Sequence, residues 1–115
     1  MSKVAIIGFG HVGHAMQRLF PGAAIYDKYL PDHDNAATIK GAAVTFICVP
    51  TDELPSGKAD VSIVTEAVKL ADGLVVIRST VPPGTTDYLR ALTDKPVLFC
   101  PEYEGETPWQ RAMAD

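Results

Sequence analysis

Three glycines near the start of the chain carry the first hint of chemistry. Gly8-Phe9-Gly10-His11-Val12-Gly13 reads G-x-G-x-x-G, and it directly follows Lys3-Val4-Ala5-Ile6-Ile7, which is apolar after its first residue. A strand that turns on glycine into a helix leaves the helix's first amides without intrahelical partners and aims them at whatever sits in the turn. In that setting the pattern is the fingerprint of a dinucleotide's pyrophosphate. Gly8 lets the strand bend sharply, Gly10 lets backbone approach the phosphates, and Gly13 lets the helix pack close to the sheet. His11 and Val12 lie between the glycines, in the turn that faces the ligand. A second element is Asp27, which follows Ala23-Ala24-Ile25-Tyr26. A carboxylate at the end of a second strand can accept bonds from adenosine ribose hydroxyls. It would repel a 2′-phosphate by roughly 3 kcal/mol at contact distance and intermediate dielectric, which favours NAD over NADP. Lys28 beside it pulls the other way.

Further along, hydroxyls and a carboxylate fall just after apolar runs: Val49-Pro50-Thr51, then Ser79-Thr80, then Pro101-Glu102. At the carboxyl ends of neighbouring strands they would converge on one crevice, where a hydroxyl plus a carboxylate could orient a water. The plainer alternatives are a turn or cap at Thr80 before Pro82 and a solvated loop carboxylate at Glu102.

The elements that must position these groups follow from hydrophobic period. Val12, Ala15, Met16, Leu19 and Phe20 mark one face of a helix that Pro21-Gly22 stops. Ala23 to Tyr26 reads as a second strand, Lys28 to Asn35 as a loop broken by Pro31, and Ala36 to Gly41 as a short helix. Ala43 to Val49 is a third strand, apolar almost throughout, as expected where both sheet faces are covered. Asp60 can cap a helix whose inner face is Val61, Val64, Val68 and Ala71. Leu74 to Ile77 is a fourth strand, and a helix begins at Thr85 or Thr86 with Leu89 and Leu92 inward. Pro96 to Cys100 is a fifth strand, followed by a short polar tail. Strands alternating with helices predict a doubly wound parallel α/β sheet of Rossmann type, about five strands in the order 3-2-1-4-5. Ligand would bind near the switch between strands 1 and 4. Residues 1–115 read as a single dinucleotide-binding domain.

Bulk composition narrows the function classes. The 115 residues are 47% hydrophobic and 21% charged, ordinary values for a globular domain. A formal net charge of −4 disfavours nucleic acid as a partner. No apolar stretch is long enough to span a membrane, and the first residues lack a signal-peptide pattern. The two cysteines, Cys48 and Cys100, each sit in an apolar run and read as reduced and buried, consistent with a cytoplasmic protein. No cluster with metal-ligand spacing is present, so no metal is expected.

From the third strand onward a more specific pattern emerges. Val49-Pro50-Thr51 is followed by Gly57, Asp60 and Ser62, then Arg78-Ser79-Thr80-Val81-Pro82-Pro83-Gly84-Thr85, then Pro101-Glu102-Tyr103. With G-x-G-x-V-G, these resemble the NAD-binding domain of the UDP-glucose/GDP-mannose dehydrogenase family, which reads V-P-T-P, G-x-x-D-x-S, S-T-V-P-P-G-T and P-E-F-L-x-E. The resemblance implies that Gly8, Gly10, Gly13 and Asp27 are pyrophosphate and ribose contacts and that Thr51 lines the dinucleotide. It implies that Thr80 lies near the nicotinamide and helps position a catalytic water. Glu102 and Glu106 align with the two family glutamates, the first near sugar and water, the second near the cofactor. His11 replaces the usual Tyr, Asp52 the second proline, and Glu104-Gly105 the usual Leu-x. Family members oxidise a sugar 6-hydroxyl to a carboxylate with two NAD and a nucleophilic cysteine. That cysteine lies in F-G-G-x-C-F-P-K-D in a second domain, and nothing in these 115 residues matches that motif or the central dimerisation helix. The resemblance thus implies an NAD-binding module not competent for turnover alone, acting with a separate substrate-binding chain or as a homo-oligomer. The alternative is an NAD-sensing regulatory or interaction protein derived from such a domain.

Overall fold

The strand that leads into the glycine turn is buried on both faces, as its unbroken apolar sequence requires. This is β1 (Val4–Ile7), in which Ala5, Ile6 and Ile7 are all buried. The computed structural model describes residues 3–51, 54–57 and 60–100. Around β1 are built β2 (Ala24–Tyr26), β3 (Val44–Ile47), β4 (Leu74–Ile77) and β5 (Val97–Phe99), all paired in parallel. Three helices connect them: α1 (His11–Leu19), α2 (Ser62–Leu70) and α3 (Thr85–Thr93).

The sheet order is β2-β1-β3-β4-β5, which corrects the expected 3-2-1-4-5. The third strand lies beside the first, not outside the second, and the ligand switch point moves to the gap between β1 and β3. The connection from β2 to β3 explains this. It contains only two short 3-10 turns, Pro31–His33 and Ala36–Ile39, because Pro31 and the polar run around it cannot supply a crossover helix. Its large apolar residue, Ile39, is fully buried in one core with Ala5, Ile7 and Ala42. From there the chain enters Val44–Ile47 at the open edge of β1, where all four residues pair.

Two cores result. Ile7, Ile39, Ile47, Val64, Val68, Val75, Ile77 and Leu89 belong to the larger one, beneath α2 and α3. The smaller joins Ile6, Met16, Ile25 and Cys48 beneath α1. Among the described elements α1 is the one helix on that side, and its last turn has little to pack on. Leu19, expected inward, is 69% exposed, and Phe20 sits against Phe46 at 5.3 Å between ring centres. Leu92 is likewise exposed, as are Leu98 and Phe99 on the edge strand β5. Cys48 is buried as expected, but Cys100 is exposed beyond the end of β5, with Arg78 Nη1 donating to its carbonyl at 2.8 Å.

The helix ends are held by identifiable groups. Asp60 accepts from the Ser62 amide at 3.0 Å, one residue earlier than a standard cap, and bonds from the Ser62 amide and hydroxyl hold its carboxyl below the usual carboxylate range. At the other end of α2, Lys95 Nζ donates to the carbonyls of Val68, Lys69 and Ala71 at 2.9, 2.8 and 2.7 Å. A cation at a helix C-terminus satisfies carbonyls that have no partner within the helix.

Candidate dinucleotide-binding site

The glycine turn continues the strand pairing and then breaks away from it. Gly8 N donates to Tyr26 O at 2.8 Å, and Gly8 has φ +94°, a conformation natural only to glycine. A Cβ on Gly13 would lie 2.1 Å from Gly8 O, so the start of α1 is pressed directly onto the end of β1. A Cβ on Gly10, by contrast, would meet nothing within 4 Å. The turn is therefore closed on its inner side and open where a ligand must enter. Gly10 is the N-cap of α1, and no side chain caps the helix, leaving its first amides for an anion.

Asp27 ties the end of β2 to this turn. Its Oδ2 accepts from Phe9 N at 2.8 Å and its Oδ1 from Tyr29 N at 2.9 Å. Each carboxylate oxygen keeps a lone pair with which to accept from a ribose hydroxyl. The Phe9 ring lies flat on His14, 3.7 Å between centres, and meets His33 edge-on at 5.2 Å. His14 Nδ1 is 2.7 Å from Gly10 O, and since a carbonyl only accepts, that nitrogen carries the proton. His11 is exposed on the first turn of α1, and Val12 packs toward the smaller core.

A cleft of about 280 Å³ opens between this turn and α2, with Gly8, Asp27, Lys28, Val49, Ile63 and Glu66 among its lining. Whole small-molecule pockets run roughly 300–1,000 Å³, so this volume suits a nucleoside and not a complete dinucleotide. Lys28 Nζ stands 5.1 Å from the Tyr29 ring centre at the same rim. The contribution of α2 to this wall was missed in the sequence. The available signal was a second stripe at Ile63, Glu66 and Leu70, beside the buried one, with Leu70 45% exposed.

On the other side of the switch point, β3 and β4 end side by side. Past the last pair, Ile47 and Ile77, Ile47 O accepts from both Arg78 N and Ser79 N, at 2.8 and 3.2 Å. Ser79 Oγ donates to Val49 O at 2.6 Å, and Thr51 Oγ1 donates to Thr80 O at 2.8 Å. Ser79 is buried and Thr80 is exposed. The fold thus gathers Gly8, Gly10, His11, Val12, Gly13, Asp27 and Lys28 on one side of the crevice, and Thr51, Ser79 and Thr80 on the other. Val49 and Pro50 stand between. Asp52, Glu102 and Glu106 lie outside the described residues. Among the described residues no group of three His, Cys, Asp or Glu side chains could hold a metal, and no helix is long and apolar enough to cross a membrane.

The NAD binding domain of the UDP-glucose/GDP-mannose dehydrogenase family matches residues 23–108, three quarters of the sequence. The chain belongs to that family. Solved structures agree. A UDP-glucose dehydrogenase from Pyrobaculum islandicum is 26% identical, with TM-score 0.65 over 92% of this chain. A UDP-D-ManNAc dehydrogenase from Pyrococcus horikoshii is 25% identical, with TM-score 0.68 over 90%. A ternary complex of GDP-mannose dehydrogenase from Pseudomonas aeruginosa, 20% identical with TM-score 0.67 over 90%, shares the fold. The chain spans 37% of the length of each of these proteins. No curated protein matches by sequence. The cofactor of this family domain is NAD, and the site fits it: a closed glycine turn, open space at Gly10, uncapped helix amides and a strand-end carboxylate.

Proposed function

We propose that this chain is the NAD-binding module of a sugar-nucleotide 6-dehydrogenase and that the 115 residues alone bind NAD without completing turnover. The observation that carries the proposal is the convergence of the open Gly10 turn, Asp27 and the nucleoside-sized cleft at the β1/β3 switch point of a family member. The adenosine half lies toward β2 and α2, where Asp27 accepts from the ribose and Ile63 and Val49 flank the base. The pyrophosphate meets the first amides of α1, with no side chain at Gly10 to bar it. The other half then runs over the ends of β3 and β4, beside Thr51 and Thr80. Bound NAD supplies the hydride acceptor for oxidation of a sugar hydroxyl. As the family motif implies, Thr80 and Glu102 are assigned to orienting water and substrate, and Glu106 to a place near the cofactor. A nucleophilic thiol in the family motif and a sugar-binding surface must come from further polypeptide, a separate chain included.

A half-site of this kind should bind with a dissociation constant of ~0.1 to 1 mM, about −4 to −5.5 kcal/mol. The test is titration of the chain's amide resonances with NAD, followed by an assay for NADH with UDP-glucose. Shifts at Gly10, Val12 and Asp27 with no NADH support the proposal. Unmoved resonances at several millimolar NAD would sink the binding, and UDP-glucose-dependent NADH from the pure chain would sink the incompetence.

A further inference from the structure

The backbone ladder between β3 and β4 stops at Ile47 and Ile77, yet the two chains stay together for several residues more. Pro50 has no N–H and cannot donate to a ladder. Side-chain hydroxyls take over instead, and they do so reciprocally. The hydroxyl of Ser79 reaches from the β4 side to Val49 O, while the hydroxyl of Thr51 reaches from the β3 side to Thr80 O. At 2.6 and 2.8 Å both are well-formed O–H···O bonds. A hydroxyl has a single proton, so neither residue has one left to donate to a ligand.

We propose that Thr51 and Ser79 are positioning residues, a two-rung hydroxyl latch that sets the spacing of the β3 and β4 end loops. Resting on the NAD-binding reading above, the latch holds Thr80 against the nicotinamide half of the dinucleotide. It acts through the carbonyls it clamps. Thr51 Oγ1 fixes the Thr80 carbonyl, and with it the exposed Thr80 side chain. Ser79, itself buried, fixes the Val49 carbonyl immediately before Pro50. The adenosine half lies across the switch point against Asp27 and α2; Thr51 and Thr80 do not line that cleft, whereas Val49, held by the Ser79 rung, does. The Thr51 rung should therefore govern one end of the ligand only.

Saturation-transfer NMR on the 115-residue chain with NAD reads both ends in one sample, because adenine and nicotinamide protons resolve separately. Thr51→Val keeps the shape and removes the donor, and Thr51→Ser restores the donor. In Thr51→Val, transfer to the nicotinamide protons should fall at least twofold relative to adenine H8. Thr51→Ser should stay within about a fifth of the wild-type ratio. Backbone amides of Thr80 and Val81 should shift in Thr51→Val while those of Gly8 to Gly13 stay in place. A wild-type ratio in Thr51→Val overturns the latch, as does a Thr51→Ser ratio no better than that of Val. Equal loss at both ends of NAD overturns it too, by showing general loosening. Wild-type chain that passes no saturation to either end removes the NAD-binding reading itself, and the positioning role with it.

Discussion

Asp27→Asn tests the site at the residue where fold and ligand meet. The carboxylate accepts from two backbone amides, Phe9 N at 2.8 Å and Tyr29 N at 2.9 Å, and the side chain is half-buried. Asparagine has one acceptor oxygen. One amide therefore keeps a neutral bond, and the other faces an NH2 group that cannot accept. Exchanging two charge-assisted bonds for one neutral bond costs about 1–2 kcal/mol at a partly solvated position. For a domain near this size that is a fall in Tm of about 5–10 °C. Binding changes in two ways. Loss of a charged acceptor for ribose costs about 1.4 kcal/mol, or tenfold in Kd for NAD. Discrimination against NADP collapses. Two unit charges 4 Å apart at an effective dielectric of 20 repel by about 4 kcal/mol. Halved for solvent screening, this is about 2 kcal/mol, an NAD preference of about thirtyfold that the variant should reduce to about threefold. Thermal melts and amide titrations with both cofactors give the three numbers. A variant that melts within 1 °C of wild type and keeps the thirtyfold preference would refute the assignment of Asp27 to both roles.

The remaining predictions concern separate parts of the molecule. Gly13→Ala places a methyl 2.1 Å from Gly8 O and should cost more than 3 kcal/mol in urea melts, whereas Gly10→Ala, with open space around it, should fold within about 1 kcal/mol of wild type and lose NAD shifts at least tenfold. Equal stability of the two variants would mean the turn is not built as described. Lys95→Met removes the donor to Val68, Lys69 and Ala71 and should destabilise by about 2–3 kcal/mol, seen as a lower urea midpoint with NAD affinity unchanged. Asp60, whose folded pKa is lowered by Ser62, contributes stability above the ordinary carboxylate pKa and loses it as pH falls through the lower folded value. Stability of Asp60→Asn should therefore fall less steeply than that of wild type below about pH 4. Identical acid limbs in urea midpoints of the two proteins count against that cap.

Local chemistry was legible in the sequence wherever a property depends on neighbours a few residues away. The period of Val64 and Val68 made α2, the glycine spacing made the turn, and the apolar run of Val44–Ile47 made a buried strand. Asp60 was recognisable as a capping residue, although the structure sets its bond to the first helical amide. The family motif was readable for the same reason: it is a string. Less legible were the burial of Leu19 and Leu92, which depends on whether a second layer covers their helices. Among the described residues it does not.

What the sequence by itself determined is the inventory: a parallel α/β domain, a glycine turn at Gly8 to Gly13, a strand-end carboxylate at Asp27, and hydroxyls at Thr51, Ser79 and Thr80 after successive strands. What only the tertiary structure decided is adjacency. Strand order is one such outcome: the β2–β3 connection crosses β1 with Ile39 buried in the larger core, and the switch point lies between β1 and β3. The pairing of Thr51 with Thr80, 29 residues apart, exists because that order sets β3 beside β4. No local pattern encodes such contacts, because their free energy is released only when distant segments have already been brought together by the burial of other residues.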